Sequence, residues 1–443
     1  MRTTAQTLRS STATTTTTRT TRTTRAIAAL AAVTAATAVF AAQTAAASDM
    51  SPLRTGDPTV FRADLQAVAA AGGIGVGGAV TGKNISWTGA AGVRNIDQAV
   101  SARPGDTARI GSVTKTMVAT LVMQEVQAGR WTLQSTVADV LPGLLPGHGD
   151  VTLDELLSHR SGLPDFFVPL LAGVTTGPHL LSVVDKRYRD RQLVATALTR
   201  PWLFPPGSSF SYSNTNYVIL GLMLQKLNGT DLATLLKKRL FDRAGMDSAT
   251  FQTTKPWSTP AHLSEYAVFE RPYNVDQTNP SIFSSAGAVE ATPKDLDKFY
   301  RALFNGRLLA PDLVREMAAP RSTTPLAYGL GIYAVGDPCP GPHGEQQALY
   351  GHDGATFGTL TLAFTSADGT RQAAISWTGR PLTTLDNPTA KPANNFLVDA
   401  FSANCPVAVP TPTTRTAPKS TSNLLPSLES LTLPDAQLAR PAH

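Results

Sequence analysis

Apolar positions follow two rhythms along this chain, and the change of rhythm divides it. "GIGVGGAV", the turn residues "TGKN" and "ISWTGAAG" predict a hairpin over residues 73–92. "TLTLAFTSADGTRQAAISWT" predicts another over 359–378, with "ADGT" as its turn. Between them, roughly Leu133 to Pro320, the chain reads as helices and loops. "TNYVILGLMLQKLNG" and "PKDLDKFYRALFNG" carry helical spacing, and each is stopped by glycine. The pattern predicts a sheet assembled from both chain ends with a helical part inserted.

A further helix is predicted in "SVTKTMVATLVMQEVQAG". Val113, Met117, Val118, Leu121, Val122 and Val126 recur at helical spacing, and Ser112 suits the N-cap. Lys115 interrupts this otherwise apolar run.

The two ends of the chain differ from its body. Residues 1–47 combine arginines with threonines, then an apolar run from Ala26 to Ala42, then "QTAAAS", the order of a secretory signal cleaved after Ala47. A membrane anchor is the rival reading, but the run is alanine-rich and shorter than the ~20 residues a span requires. A short linker, 48–57, leads to a single domain over 58–405. Residues 406–443, rich in Pro, Thr and Ser, predict a mobile tail.

Composition narrows the function. With 443 residues, 42% hydrophobic and 16% charged, the chain can bury a large core. Its net charge of +6 comes mostly from five arginines in residues 1–47; the remainder holds 33 basic against 32 acidic residues. Nothing there predicts nucleic acid or an anionic membrane as partner. No H-E-x-x-H, zinc-like Cys/His spacing or phosphate loop is found, so neither metal nor cofactor is expected. Cys339 and Cys405 are the only cysteines. In an exported protein a bridge between them is the simple inference, two separate buried thiols the other.

Ser112 and Lys115 lie one helical turn apart and so share a side of the helix. A hydroxyl becomes nucleophilic when a base takes its proton, and a lysine can be that base once burial or nearby positive charge lowers its pKa. The helix N-terminus would favour an oxyanion beside Ser112. Taken alone, the pair is more ordinarily a capping serine with a solvated lysine. It is, however, the only S-x-x-K in a chain with 11 lysines. Two further elements accompany it. "FSYSNTNYVILGLML" sets Tyr212, Ser213 and Asn214 before an apolar helix, and "ALYGHDGATFGTLTLAF" sets His352, Asp353, Gly354 and Ala355 at a strand.

In this order the three elements resemble the penicillin-binding protein and serine β-lactamase superfamily, whose signature opens with S-x-x-K. Y-x-N and H-x-G point to its class C-like branch. The chain is most similar to secreted low-molecular-weight D-alanyl-D-alanine carboxypeptidases, through "SVTK", "LPGLLP", "SHRSGL", "YSNTNY", "SAGAV", "YGLG" and "YGH".

The resemblance implies an α/β (α+β), β-lactamase/transpeptidase-like fold: an antiparallel sheet flanked by helices, a mostly helical lobe and a cleft between them. It also implies residue roles. Ser112 would attack, Lys115 would take or relay its proton, and Tyr212 would serve as acid and base. Asn214 would hold the substrate amide, the N–H groups of Ser112 and Ala355 would form the oxyanion hole, and Gly354 would let substrate lie flat on the strand. Tyr212, with a usual pKa near 10, could be a base only if Lys115 and a protonated His352 stabilised its phenolate.

The implied partners are small peptide or ester substrates, peptidoglycan stem peptides and β-lactams among them, acting on a secreted monomer of the cell envelope. Such peptidases hold a terminal carboxylate with two threonines and an arginine. Those places here are Asp353, Ala355 and Tyr333, and if Asp353 faces the cleft it would repel a carboxylate. An esterase, another amidase or a β-lactamase on the same fold is therefore the rival activity. An inert envelope-binding module is a third reading, opposed by the presence of every chemical residue.

Overall fold

The computed structural model describes residues 57–257, 261–323, 326–384 and 387–405. The expected signal, nearly all of the linker and the expected tail lie outside these residues.

Eight strands form one antiparallel sheet: β1 (Gly75–Thr81), β2 (Ser86–Asn95), β3 (Val100–Ser101), β4 (Ala327–Tyr328), β5 (Tyr333–Pro340), β6 (Gln346–Ala355), β7 (Thr359–Ser366) and β8 (Gln372–Thr378). Their order is β3-β2-β1-β8-β7-β6-β5-β4. Both predicted hairpins are present, β1 with β2 from Gly75↔Gly92 to Thr81↔Ser86, and β7 with β8 from Thr359↔Thr378 to Thr365↔Gln372. The Val76↔Trp377 register of β1 with β8 joins the two chain ends.

Every residue of β1, β7 and β8 is buried, because helices cover both faces. The period of two decides which residues meet which cover. Leu360, Leu362, Phe364, Ile375 and Trp377 pack with α1 (Pro58–Ala70) and α5 (Ala390–Ser402). Ala363 and Ala374 join the other core, with Leu296 and Phe299 of α4 (Pro293–Phe304) and Val113 and Met117 of α2 (Val113–Gln127). Gly78 is small where the helices come close: a Cβ there would lie 3.0 Å from a Leu65 methyl and 3.1 Å from the Phe396 ring.

The helix ends follow their sequence signals. α3 (Asn214–Asn228) stops at Gly229, in the left-handed conformation with φ +61°. α4 starts with Pro293 behind a Thr292–Asp295 capping box. Ser112 departs from expectation, since its side chain makes no capping bond to α2. The inserted middle is not purely helical either. Val289–Ala291 pairs with Ala108–Arg109 and Thr250–Phe251, and Tyr266–Val268 pairs with Pro272–Asn274. Strands of two or three residues are too short to show a period of two in sequence.

Cys339 and Cys405 form a disulfide, their Cα atoms 5.4 Å apart, which ties β5 to the segment following α5. Among the described residues no helix is long and apolar enough to cross a membrane.

Candidate active site

The loop from β1–β3 toward α2 turns sharply at Gly111, whose φ is +53° and where a Cβ would lie 2.6 Å from the Ala355 backbone N. Only glycine combines that conformation with that approach. Gly354 answers it from β6: a Cβ there would fall 2.0 Å from the Ile110 carbonyl O and 3.1 Å from Ser112 N. The space at Gly354 is thus taken by the turn carrying Ser112, rather than left for a ligand lying on the strand. The two glycines bring the backbone N–H groups of Ser112 and Ala355 into one small region, as an oxyanion hole requires.

Lys115 is fully buried, and its Nζ reaches Ser112 Oγ at 2.9 Å, Asn214 Oδ1 at 2.8 Å and Ala286 O at 2.9 Å. This is why Ser112 caps nothing: its oxygen is engaged by the lysine. Burial pushes the Lys115 ammonium down to about 7, against the opposing pull of Asp165 and Asp353. A neutral amine has two N–H groups and one lone pair. Two carbonyl-type acceptors and one hydroxyl match that inventory, with the lone pair accepting from Ser112. Ala286 is delivered by the turn Ser284–Gly287, which lies against α3 with Ser285 Oγ donating to Tyr217 O at 2.8 Å.

The Tyr212 ring lies with its centroid 4.9 Å from Lys115 Nζ. Its hydroxyl makes no protein hydrogen bond of ordinary geometry among the described residues, although Ser112 is close enough to act on it. Burial pushes this phenol well above its ordinary value, with Ser112 opposing. His352 is also fully buried, and burial followed by the Lys115 charge pushes it down to about 3. Burial and the Lys115 charge therefore both oppose a protonated His352 that would support a Tyr212 phenolate at neutral pH. The hydrogen bonds fit a neutral ring: Nδ1–H donates to Asp353 O at 2.5 Å, and in that tautomer Nε2 accepts from the Tyr328 hydroxyl at 3.0 Å. At pH 7 Tyr212 is a phenol and Lys115 the group closest to a base.

Asp353 does not face the cleft. It is 1% exposed, lies outside the cavity wall and accepts from the Tyr333 hydroxyl at 3.0 Å. Burial pushes its carboxyl up to about 6. The two positions where similar peptidases carry a threonine and an arginine thus bind one another.

Several contributors were missed in the sequence. Asp165 holds Asn214 through its backbone N–H at 2.8 Å and Nδ2 at 2.7 Å. His159, with φ +58°, accepts from Ser213 N–H at 3.1 Å and lays its ring 4.2 Å from that of Tyr212. Buried Glu265 pairs with Arg109, three residues before Ser112, and accepts from Thr356 and Thr359 just after Ala355. It thereby links the approach to Ser112 with the strand that carries Ala355. "SHRSGL" and "LPD" held the first two in plain view, but neither carries a local pattern beyond a turn.

Ser112, Tyr212, Asn214 and Ala355 open onto a cavity of about 490 Å³. Phe167, Val168, Leu171, Leu203, Phe283 and Phe357 make much of its wall apolar, and Asp165, Arg200 and Arg380 add charge. Burial pushes the Arg380 guanidinium down to about 10, so it stays charged at neutral pH.

Comparison with known proteins agrees with this arrangement. Residues 61–380 match the family model described as Beta-lactamase. Penicillin-binding protein 4 of Amycolatopsis lactamdurans is 29% identical over 288 residues, covering 61% of this chain and 72% of that protein. Penicillin-binding protein 4* of Bacillus subtilis (strain 168) is 24% identical over 273 residues, and the match spans 57% of this chain and 56% of that relative. Among solved structures, a D-stereospecific amidohydrolase from Streptomyces sp. superposes with a TM-score of 0.65 at 29% identity, covering 73% of this chain and 96% of the other. With a family model spanning well over half its length and the Ser112–Lys115–Tyr212 cluster assembled, the chain belongs to the Beta-lactamase family, a serine hydrolase of the β-lactamase and penicillin-binding protein superfamily.

Proposed function

We propose that this protein is an exported acyl-transferring hydrolase that cleaves neutral amides or esters whose acyl part carries an apolar side chain. The observation that carries this reading is the Tyr333–Asp353 hydrogen bond. It occupies the place where similar peptidases hold a terminal carboxylate and leaves a neutral leaving group the better fit. The apolar cavity beside Ser112 supports an aliphatic or aromatic acyl side chain. The solved amidohydrolase, D-stereospecific by its description, supports acyl donors of D configuration.

In the first half-reaction Ser112 Oγ attacks the carbonyl carbon while its proton passes to Lys115 Nζ. The N–H groups of Ser112 and Ala355 receive the developing oxyanion. The Tyr212 phenol gives its proton to the departing nitrogen or oxygen and regains one from Lys115, leaving an acyl-Ser112 ester. Water then attacks that ester, its proton taken along the same route, and Ser112 leaves as the alcohol. Asn214, fixed by Lys115 and Asp165, presents its second amide N–H to the acyl group.

A D-alanyl-D-alanine carboxypeptidase is the second reading, favoured by the penicillin-binding relatives and by Arg380, a cation on the cavity wall. Mass spectrometry of the protein with a D-phenylalanine amide, a short-chain ester, a D-Ala-D-Ala peptide and a penicillin separates the two. Turnover of amide and ester with little of the free-acid peptide supports the first reading. Preferential turnover of the peptide with a stable penicillin adduct overturns it. Export, for which the disulfide is consistent, is tested by locating the protein in culture supernatant.

A further inference from the structure

Asp165 sits in the wall of the cavity onto which Ser112 opens. Its Oδ2 accepts from Asn214 N–H at 2.8 Å and from Asn214 Nδ2 at 2.7 Å, while Oδ1 accepts from Phe167 N–H at 2.8 Å. A carboxylate has about four lone-pair sites, so capacity remains after these three bonds. Among the described residues no cation lies within ion-pair distance of Asp165; Lys115 attracts it electrostatically but spends its hydrogen bonds on Ser112, Asn214 and Ala286. Burial pushes the Asp165 carboxyl above its ordinary range, which a cation arriving in the cavity would reverse. A half-buried carboxylate with no cation bonded to it, walled by Phe167, Leu171, Phe283 and Phe357, matches a ligand that joins an apolar body to one positive charge.

We propose that Asp165 receives the protonated primary amine of the substrate's acyl part, so that the preferred donors are amides and esters of apolar amino acids with a free α-amino group. This deepens the reading of the preceding subsection and rests on it. Covalent geometry supports the placement. An α-amino nitrogen is two bonds from the carbonyl carbon, and Asp165 is hydrogen-bonded to Asn214, itself joined through Lys115 to Ser112. Two cations share the cavity. Arg380 donates to the Thr356 carbonyl beside Ala355, and Arg200 is an exposed residue, where salt screens its charge. Both oppose an ammonium in their own neighbourhood, and neither is bonded to Asp165.

The test pairs D-phenylalanine amide and methyl ester with their N-acetyl forms, in wild type and Asp165→Asn. Asparagine keeps an acceptor for the Asn214 backbone while removing the charge. In wild type kcat/KM should favour the free amine by roughly tenfold to a hundredfold, the worth of one charge-assisted hydrogen bond. In the variant that preference should collapse to within about threefold. Equal losses for amine and N-acetyl donors would mean that Asp165 merely holds Asn214, and would overturn the inference, as would a wild type indifferent to acetylation. A second measurement needs no turnover: protection of Ser112 from a fluorophosphonate label by 2-phenylethylamine and by 2-phenylethanol. The amine should protect at about tenfold lower concentration in wild type only, and equal protection overturns the inference. If neither amide nor ester is hydrolysed while the amine still protects, the proposed function fails and Asp165 remains an ammonium site.

Discussion

The Tyr333 hydroxyl donates to Asp353 Oδ1 at 3.0 Å, and both side chains are 1% exposed. Two positions that would have to clamp a terminal carboxylate are instead bonded to each other. A substrate carboxylate would therefore enter the cleft without its usual donors, and losing one charge-assisted hydrogen bond is worth about 1.5–3 kcal/mol. For one peptide measured as amide and as free acid, kcat/KM should favour the amide by at least about tenfold. A ratio favouring the acid would identify Arg380 as the holding cation and return the carboxypeptidase reading.

Removal of the nucleophile tests the chemistry most directly. Ser112→Ala should reduce hydrolysis to background and abolish every acyl adduct seen by mass spectrometry. Ser112 makes no capping bond, so the variant should keep its melting temperature within a few degrees. Near-normal turnover would dismiss the mechanism.

The base has a signed pH dependence. Lys115, pushed down to about 7 by burial, is competent when it has lost its proton, so kcat/KM for a neutral donor should rise with pH through about 7. Asp353 pulls that value upward, and Asp353→Asn should move the rising limb toward lower pH. A limb that stays in place, or moves the other way, would assign the titration to another group.

Stability has its own pH signature, away from the chemistry. Burial pushes the Asp297 carboxyl up to about 7, where it accepts from Thr81 Oγ1 at 2.7 Å and leaves Oδ1 without a partner. A carboxyl raised on folding binds more protons in the native than in the unfolded state, so its stabilising effect is complete at low pH and is lost between about 4 and 7. Asp297→Asn should remove that loss and raise stability at pH 8 by roughly 1–3 kcal/mol while changing little at pH 4, read by urea denaturation. An equal effect at both pH values would exclude this origin.

Local pattern was enough for the parts of this protein whose causes are local. Alternation and turn residues gave both hairpins, periodicity and glycine stops gave α2, α3 and α4, and S-x-x-K, Y-S-N and H-D-G marked the candidate cluster. Two or three residues of strand carry no measurable alternation, so the small sheets of the inserted region were hidden. Protonation states were hidden for a different reason. They depend on burial by residues far along the chain, and burial left His352 neutral and Tyr212 a phenol where sequence alone allowed the opposite. The direction of Asp353 was likewise settled by packing, since its partner Tyr333 lies on the neighbouring strand. Asp165 and Glu265 gain meaning only from contacts 49 and 91 residues distant. The residue types that can do chemistry are written in the sequence, while the three-dimensional packing sets their charge, their partners and the wall that a substrate meets.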